Sequence, residues 1–127
     1  MKQYRVLLID DEEELVSTLV ERLELRGIEA EAVTRGQAAL DLLEKKRFDV
    51  VVADLKMPGM SGLEVMRTIR ETYPDTKVLM ITGHGAEDDE TAEVREGEFE
   101  VLMKPFPIDV LLARIRGVLG EPEGDGE

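Results

Sequence analysis

Residues 49–66 read DVVVADLKMPGMSGLEVM. The run DVVVA at 49–53 is almost unbroken and β-branched, which suits a strand covered on both faces at the centre of a parallel sheet. It stops at Asp54, and a Pro-Gly loop follows. Ser61 with Glu64 then forms a capping box, with Met60 and Val65 placed as a hydrophobic staple. Leu63, Met66 and Ile69 continue as one face of a helix. Strand, polar turn and capped helix make one β-α unit, and its strand ends on a carboxylate.

The same unit repeats on either side. YRVLLI (4–9) and KVLMI (77–81) are near-continuous apolar runs, IEAEAV (28–33) alternates as an edge strand does, and FEVLM (99–103) is a fifth strand. Leu15, Val16, Leu19, Val20 and Leu23 form a helix face that ends at Gly27. Thr34 with Gln37 reads as a second capping box, ahead of Ala38, Ala39, Leu42 and Leu43. Ile108, Leu111, Leu112, Ile115, Val118 and Leu119 hold a clean helical spacing. Five β-α repeats with short loops and right-handed crossovers predict a three-layer α/β/α sandwich. In such folds ligands sit outside the carboxyl ends of the strands.

A length of 127 residues is one domain's worth, and 43% hydrophobic residues are enough for one core. With no Cys and a single His, the sequence excludes disulfides, thiolate zinc sites, cysteine nucleophiles and multi-histidine metal sites. No apolar run is long enough to span a membrane, and MKQYRVLLIDD turns acidic too early for a signal peptide. The expectation is a soluble cytoplasmic protein. The net charge of −13 is uneven. Residues 87–100 hold eight acids against Arg95 alone, and residues 121–127 hold four acids and no base. This balance argues against direct nucleic-acid binding, which needs a basic patch. The tail EPEGDGE (121–127) reads as a disordered linker after a domain of residues 1–120.

The strand ends carry the chemistry. The first ends in IDDEEE, with Asp10 and Asp11; the third in ADLKMPG, with Asp54; the fourth in ITG, with Thr82; the fifth in MKPF, with Lys104. If these strands are neighbours, the five side chains meet on one rim. Three carboxylates packed together repel and raise one another's pKa. A hard divalent ion such as Mg²⁺ removes that conflict. Three carboxylates, one Mg²⁺ and one lysine sum to zero charge, a balanced site able to accept a phosphoryl group. Asp54 is then the candidate nucleophile, with Mg²⁺, Lys104 and the Thr82 hydroxyl arranged around the transferring oxygens. Singly, each residue has a structural role open to it. Asp11 with Glu14 fits a helix N-cap box, Asp54 a turn, Lys104 an exposed loop, and Thr82 a strand end.

Together, LLIDDEEE, VVADLKMPGMSGLE, ITGHG and LMKPF resemble the receiver domain of bacterial two-component response regulators, over about residues 4–119. The resemblance implies a flavodoxin-like five-stranded parallel sheet of order 2-1-3-4-5. It implies phosphorylation of Asp54 by a sensor histidine kinase or phosphotransfer protein. Asp11 is implied as a direct Mg²⁺ ligand, Asp10 as a ligand largely through water, and the Lys56 carbonyl as the last protein ligand. Lys104 is implied to contact the phosphoryl group across a cis Lys104–Pro105 bond. Thr82 moves toward that group on activation, Gly83 and His84 follow it in the switch segment, and His84 tunes phosphoryl loss. The implied output is an effector protein or output domain, with homodimers through the fourth helix, fifth strand and fifth helix.

Other classes fit less well. A nucleotide- or flavin-binding protein needs a Gly- or hydroxyl-rich loop after the first strand, where DDEEE repels phosphate. The aspartate-phosphatase motif DxDxT is absent. The remaining alternative is a constitutive interaction module on a receiver fold with vestigial phosphorylation.

Two positions depart from the family. Three residues before the lysine, where receivers commonly carry an aromatic that follows the switch threonine, stands Val101. AEDDETAEVREGE (86–98) occupies the family's fourth helix, with Glu90, Glu93 and Glu98 at positions often small or apolar. Few apolar residues predict a short, frayed or mobile helix there, and an acidic face suited to a basic, salt-sensitive partner.

Overall fold

The computed structural model of the chain describes residues 4–57, 61–83 and 99–120. Met60, His84, the acidic stretch 86–98 and the tail 121–127 lie outside the described residues, and so do the expectations placed on them.

Five strands and four helices stand among the described residues: β1 (Arg5–Ile9), α1 (Glu13–Leu25), β2 (Glu29–Val33), α2 (Gly36–Leu43), β3 (Val50–Asp54), α3 (Gly62–Thr72), β4 (Lys77–Thr82), β5 (Glu100–Met103) and a final helix (Ile108–Leu119). All neighbouring strands pair in parallel, in the order β2-β1-β3-β4-β5. This is the flavodoxin-like arrangement, with the strand order reversing beside β1 and β3.

Strand alternation sends side chains to two separate cores. Val6, Leu8, Val50, Val52, Leu79, Ile81 and Leu102 meet Val16, Leu19 and Leu23 of α1 and Leu111, Leu112 and Ile115 of the final helix. Leu7, Ile9, Val51, Ala53, Val78 and Met80 meet Ala39 and Leu43 of α2 and Leu63, Val65, Met66 and Ile69 of α3. Every residue of β3 is buried, as its unbroken apolar run requires. β2 and β5 are the edges. β2 carries charged residues at its outer positions, with Glu29 paired to Arg5 and Glu31 to Lys46. That is a usual way to protect a sheet edge.

Turn and cap chemistry differs in places from the sequence reading. The N-cap of α1 is Glu12, not Asp11, which leaves Asp11 exposed ahead of the helix. α2 is capped at Arg35 without a side-chain hydrogen bond, so the box expected from Thr34 and Gln37 does not form. Instead Gln37 donates to Asp41 one turn further on. At α3 Ser61 is the N-cap as expected, but it accepts from the amide of Leu63 (3.2 Å) rather than that of Glu64. Gly27 and Gly120 take positive φ just past α1 and the final helix, where a residue with a Cβ is disfavoured.

Candidate functional site

The parallel order places the ends of β1, β3, β4 and β5 side by side, and the main chain ties them together. The amide of Leu55 donates to Ile81 O (2.8 Å) and that of Lys104 to Thr82 O (2.7 Å). The amide of Asp10 donates to Val33 O (3.2 Å). The turn after β3 is held by the amide of Gly62 on Leu55 O (3.1 Å). Gly62 fits so closely that an added Cβ would lie 2.1 Å from Asp54 O and 2.7 Å from Leu55 O. The start of α3 therefore rests directly on the backbone of the candidate nucleophile.

On this frame Asp10, Asp54 and Thr82 are buried, and Asp11 is exposed. Asp10, Asp11 and Asp54 each offer a carboxylate oxygen, and these oxygens lie within 4.8 Å of one another. Asp10 Oδ1 accepts from the amide of Glu12 (3.0 Å) and Asp54 Oδ1 from that of Lys56 (3.2 Å). Lys104 Nζ reaches into the cluster, 2.7 Å from Asp10 Oδ2 and 3.5 Å from Asp54 Oδ2. Among the described residues, Asp10 Oδ2, although ion-paired by distance, accepts no well-aligned hydrogen bond, and the buried Thr82 Oγ1 has no hydrogen-bond partner. The Lys104–Pro105 bond is cis. Gly83 follows Thr82, and Lys56 is exposed at the turn. Val101 pairs with Met80, on the sheet face that Thr82 shares, and presents no ring there.

The electrostatics follow from burial. Desolvation pushes the Asp54 carboxyl from its ordinary 3.8 up to about 6, and the nearby Asp10 charge acts in the same direction. The Lys56 amide and the Lys104 ammonium offset only part of this rise. For Lys104, burial alone favours loss of the proton. Contacts with Asp10 and Glu12 and the charges of Asp54 and Asp10 outweigh it and hold the ammonium above the ordinary lysine range. Lys104 is thus a permanent cation among carboxylates that it does not fully neutralise. An anionic, all-oxygen donor set with one poorly satisfied buried oxygen fits a hard divalent ion such as Mg²⁺.

The sequence reading missed two residues. Glu12 Oε1 lies 2.6 Å from Lys104 Nζ, closer than any of the three aspartates singled out. Its signal was hidden inside the run DDEEE. Gly62 was taken only as part of a capped helix start, because nothing in SGLE announces a close approach to another segment's backbone.

Residues 6–116 match the family of the response regulator receiver domain. The chain is 38% identical to the response regulator protein FleR of Pseudomonas aeruginosa, over 97% of this chain and 26% of that protein. Its fold superposes on a receiver-domain protein of Clostridium thermocellum with a TM-score of 0.81 at 31% identity, covering 92% of this chain and 94% of that one. For the chemotaxis protein CheY4 of Vibrio cholerae the TM-score is 0.81 at 30% identity, covering 92% and 99%. The chain spans between about a quarter and about half the length of the curated relatives it matches first.

Proposed function

The chain belongs to the response regulator receiver family, and from that premise we propose that it accepts a phosphoryl group on Asp54. One observation carries the reading: Asp54 is a buried carboxylate at the end of the central strand, grouped with two further carboxylates and faced by a permanent lysine cation. A carboxylate oxygen of Asp54 attacks the phosphorus of a phosphohistidine. The phosphorus–nitrogen bond breaks, its electron pair returns to the imidazole of the donor, and an aspartyl phosphate remains.

Asp10, Asp11, Asp54 and the Lys56 carbonyl are the residues that would hold Mg²⁺, which when bound supplies positive charge to the phosphoryl oxygens. The chain's own residues do the rest. The Lys56 amide fixes one oxygen of Asp54 and so directs the other. Lys104 neutralises charge that develops on the transferred group. Thr82, whose hydroxyl has no partner among the described residues, donates to a phosphoryl oxygen, and its movement passes the signal through Gly83 and His84.

The proposed partners are a histidine kinase or phosphotransfer protein as donor and an output domain or effector protein as receiver of the signal, in the cytoplasm. A homodimer would form through the family's output face at residues 86–119. Among the described residues no helix is long and apolar enough to cross a membrane. Residues 1–120 act as the receiver and 121–127 as an acidic linker or tail.

Incubation with acetyl phosphate and Mg²⁺ tests the reading. The intact chain is expected to gain the mass of one phosphoryl group, and Asp54→Asn to gain none. A chain that gains nothing from acetyl phosphate, phosphoramidate or a phosphohistidine donor would instead be a constitutive interaction module.

A further inference from the structure

Lys104 is held as closely by Glu12, a carboxylate that has no part in the chemistry above, as by Asp10. Its Nζ is 2.6 Å from Glu12 Oε1, 2.7 Å from Asp10 Oδ2 and 3.5 Å from Asp54 Oδ2. Glu12 is the N-cap of α1, a position that favours Asp, Asn, Ser or Thr because their short side chains reach the first free amides. The Glu12 side chain makes no such bond. Its amide instead braces Asp10 Oδ1, and its carboxylate crosses to a lysine 92 positions away in sequence. A locally unfavourable residue type is thus accounted for by a distant contact. Lys104 has little freedom apart from its side chain, because its own amide is fixed on Thr82 O.

We propose that Glu12 is a positioning residue that, beside Asp10, holds Lys104 at the outer limit of contact with Asp54, so that an arriving phosphoryl group must draw the lysine off Glu12. The inference rests on Asp54 being the phosphoacceptor. A phosphoryl group carries about −1.5 to −2 charges and out-competes a single carboxylate for the ammonium. Glu12 therefore binds Lys104 better before transfer than during it, and an interaction stronger in the ground state slows the chemical step. The Glu12 side chain is 61% exposed, against 17% for Lys104, so the hold is that of a screened pair. Its loss is expected to change the rate by a factor of about two to five.

The test compares Glu12→Gln with Glu13→Gln, which removes the same charge from the next, exposed position. Two quantities are read: the rate of phosphoryl gain from acetyl phosphate at saturating Mg²⁺, and the side-chain Cε–Hε NMR resonance of Lys104 in metal-free protein. That resonance is assigned by its loss in Lys104→Met. The expected result is a moved Lys104 resonance and faster phosphorylation by about two- to five-fold in Glu12→Gln, with an unmoved resonance and a smaller rate change in Glu13→Gln. Equal acceleration by both variants with an unmoved resonance would overturn the proposal, leaving only general repulsion of the donor. Slower phosphorylation in Glu12→Gln would also overturn it and make Glu12 a guide toward Asp54. Absence of phosphoryl gain in the unaltered protein would defeat the phosphoacceptor reading and the kinetic role of Glu12 with it. The resonance would still report, separately, whether Glu12 holds the lysine.

Discussion

At the ends of β1, β3 and β4 the polar side chains of Asp10, Asp54 and Thr82 are buried, while on β5 the apolar side chains of Val101 and Met103 are 40% and 57% exposed. Each region inverts the usual preference, for a different reason. β1, β3 and β4 are covered on both faces, so whatever stands at their ends is drawn partly out of water. Burying charge costs free energy unless it is paired, and the single charge of Lys104 is shared among the carboxylates of Asp10, Glu12 and Asp54. The rim is therefore strained electrostatically, as a site awaiting positive charge would be. β5 is an edge strand whose Leu102 faces the final helix while its neighbours in sequence stay exposed. Those side chains add little to the fold. Perturbing the two regions should thus have very unequal effects.

The largest effect is expected at Gly62. A Cβ there must displace main-chain oxygens of Asp54 and Leu55, which have no flexible end to give way. Gly62→Ala is expected to cost about 3 kcal/mol in urea unfolding, at the upper end for overpacking, and to slow phosphoryl gain because Asp54 itself is moved. A fully stable, fully active Gly62→Ala would show that the rim tolerates shifts and is not pre-set by the α3 contact.

Asp54 should behave in the opposite sense. Its folded-state pKa of about 6 lies above the ordinary 3.8, so between these values the folded protein binds more protons than the unfolded chain. Stability is then highest below about pH 4 as far as this group is concerned, and falls as pH rises through about 6. At neutral pH the loss is about 3 kcal/mol in the metal-free protein. Asp54→Asn is expected to recover much of it and to flatten this part of the pH profile. Mg²⁺ should stabilise the unaltered protein above pH 6 by about 2.7 kcal/mol at one hundred times its dissociation constant. That gain should shrink as protonation of Asp54 competes below pH 6. Equal stability of Asp54→Asn and the unaltered chain at pH 7 would mean that the rim is not under charge strain.

This contrast also separates what the sequence made legible from what it did not. The alternation of strands and helices and the residues at the strand ends were readable as local patterns, whereas the strand order that brings Asp10, Asp11, Asp54 and Lys104 together came only from the family resemblance. The cap of α2 was misread and the cap role open to Asp11 is not taken up, since Glu12 and Arg35 stand at those N-caps and neither makes the side-chain bond of the local rule. Glu12 owes its importance to a lysine 92 positions away, which no local window contains, and Gly62 to a close approach across the turn after β3 that no residue pattern announces.

A smaller effect is expected where β5 begins. The Arg70 guanidinium lies 4.1 Å from the centre of the Phe99 ring, joining α3 to the buried residue just before the strand. Arg70→Ala is expected to cost about 1 kcal/mol in urea unfolding through the lost cation–π contact. Arg70→Lys should retain part of that amount. A loss no larger than that of an ordinary surface substitution would mean that the ring contact adds nothing to the anchoring of β5.

The smallest effects are expected at the exposed positions of β5. Threonine keeps the β-branched preference of a strand while removing apolar surface. Val101→Thr and Met103→Thr are each expected to change stability by no more than about 0.5 kcal/mol, the usual range for surface positions. The strand itself should hold, because the Val101 carbonyl accepts from Arg114 Nη1 (2.9 Å) and Leu102 stays in the core whatever stands beside it. Phosphoryl gain at Asp54 should also be unchanged, since neither side chain is among the groups around that carboxylate. A cost above about 1.5 kcal/mol at Val101, in the range of a buried side chain, would show that this face is covered in solution. In that case β5 would belong with the packed strands, and the comparison between rim and edge would fail at the position where the family's usual aromatic is missing.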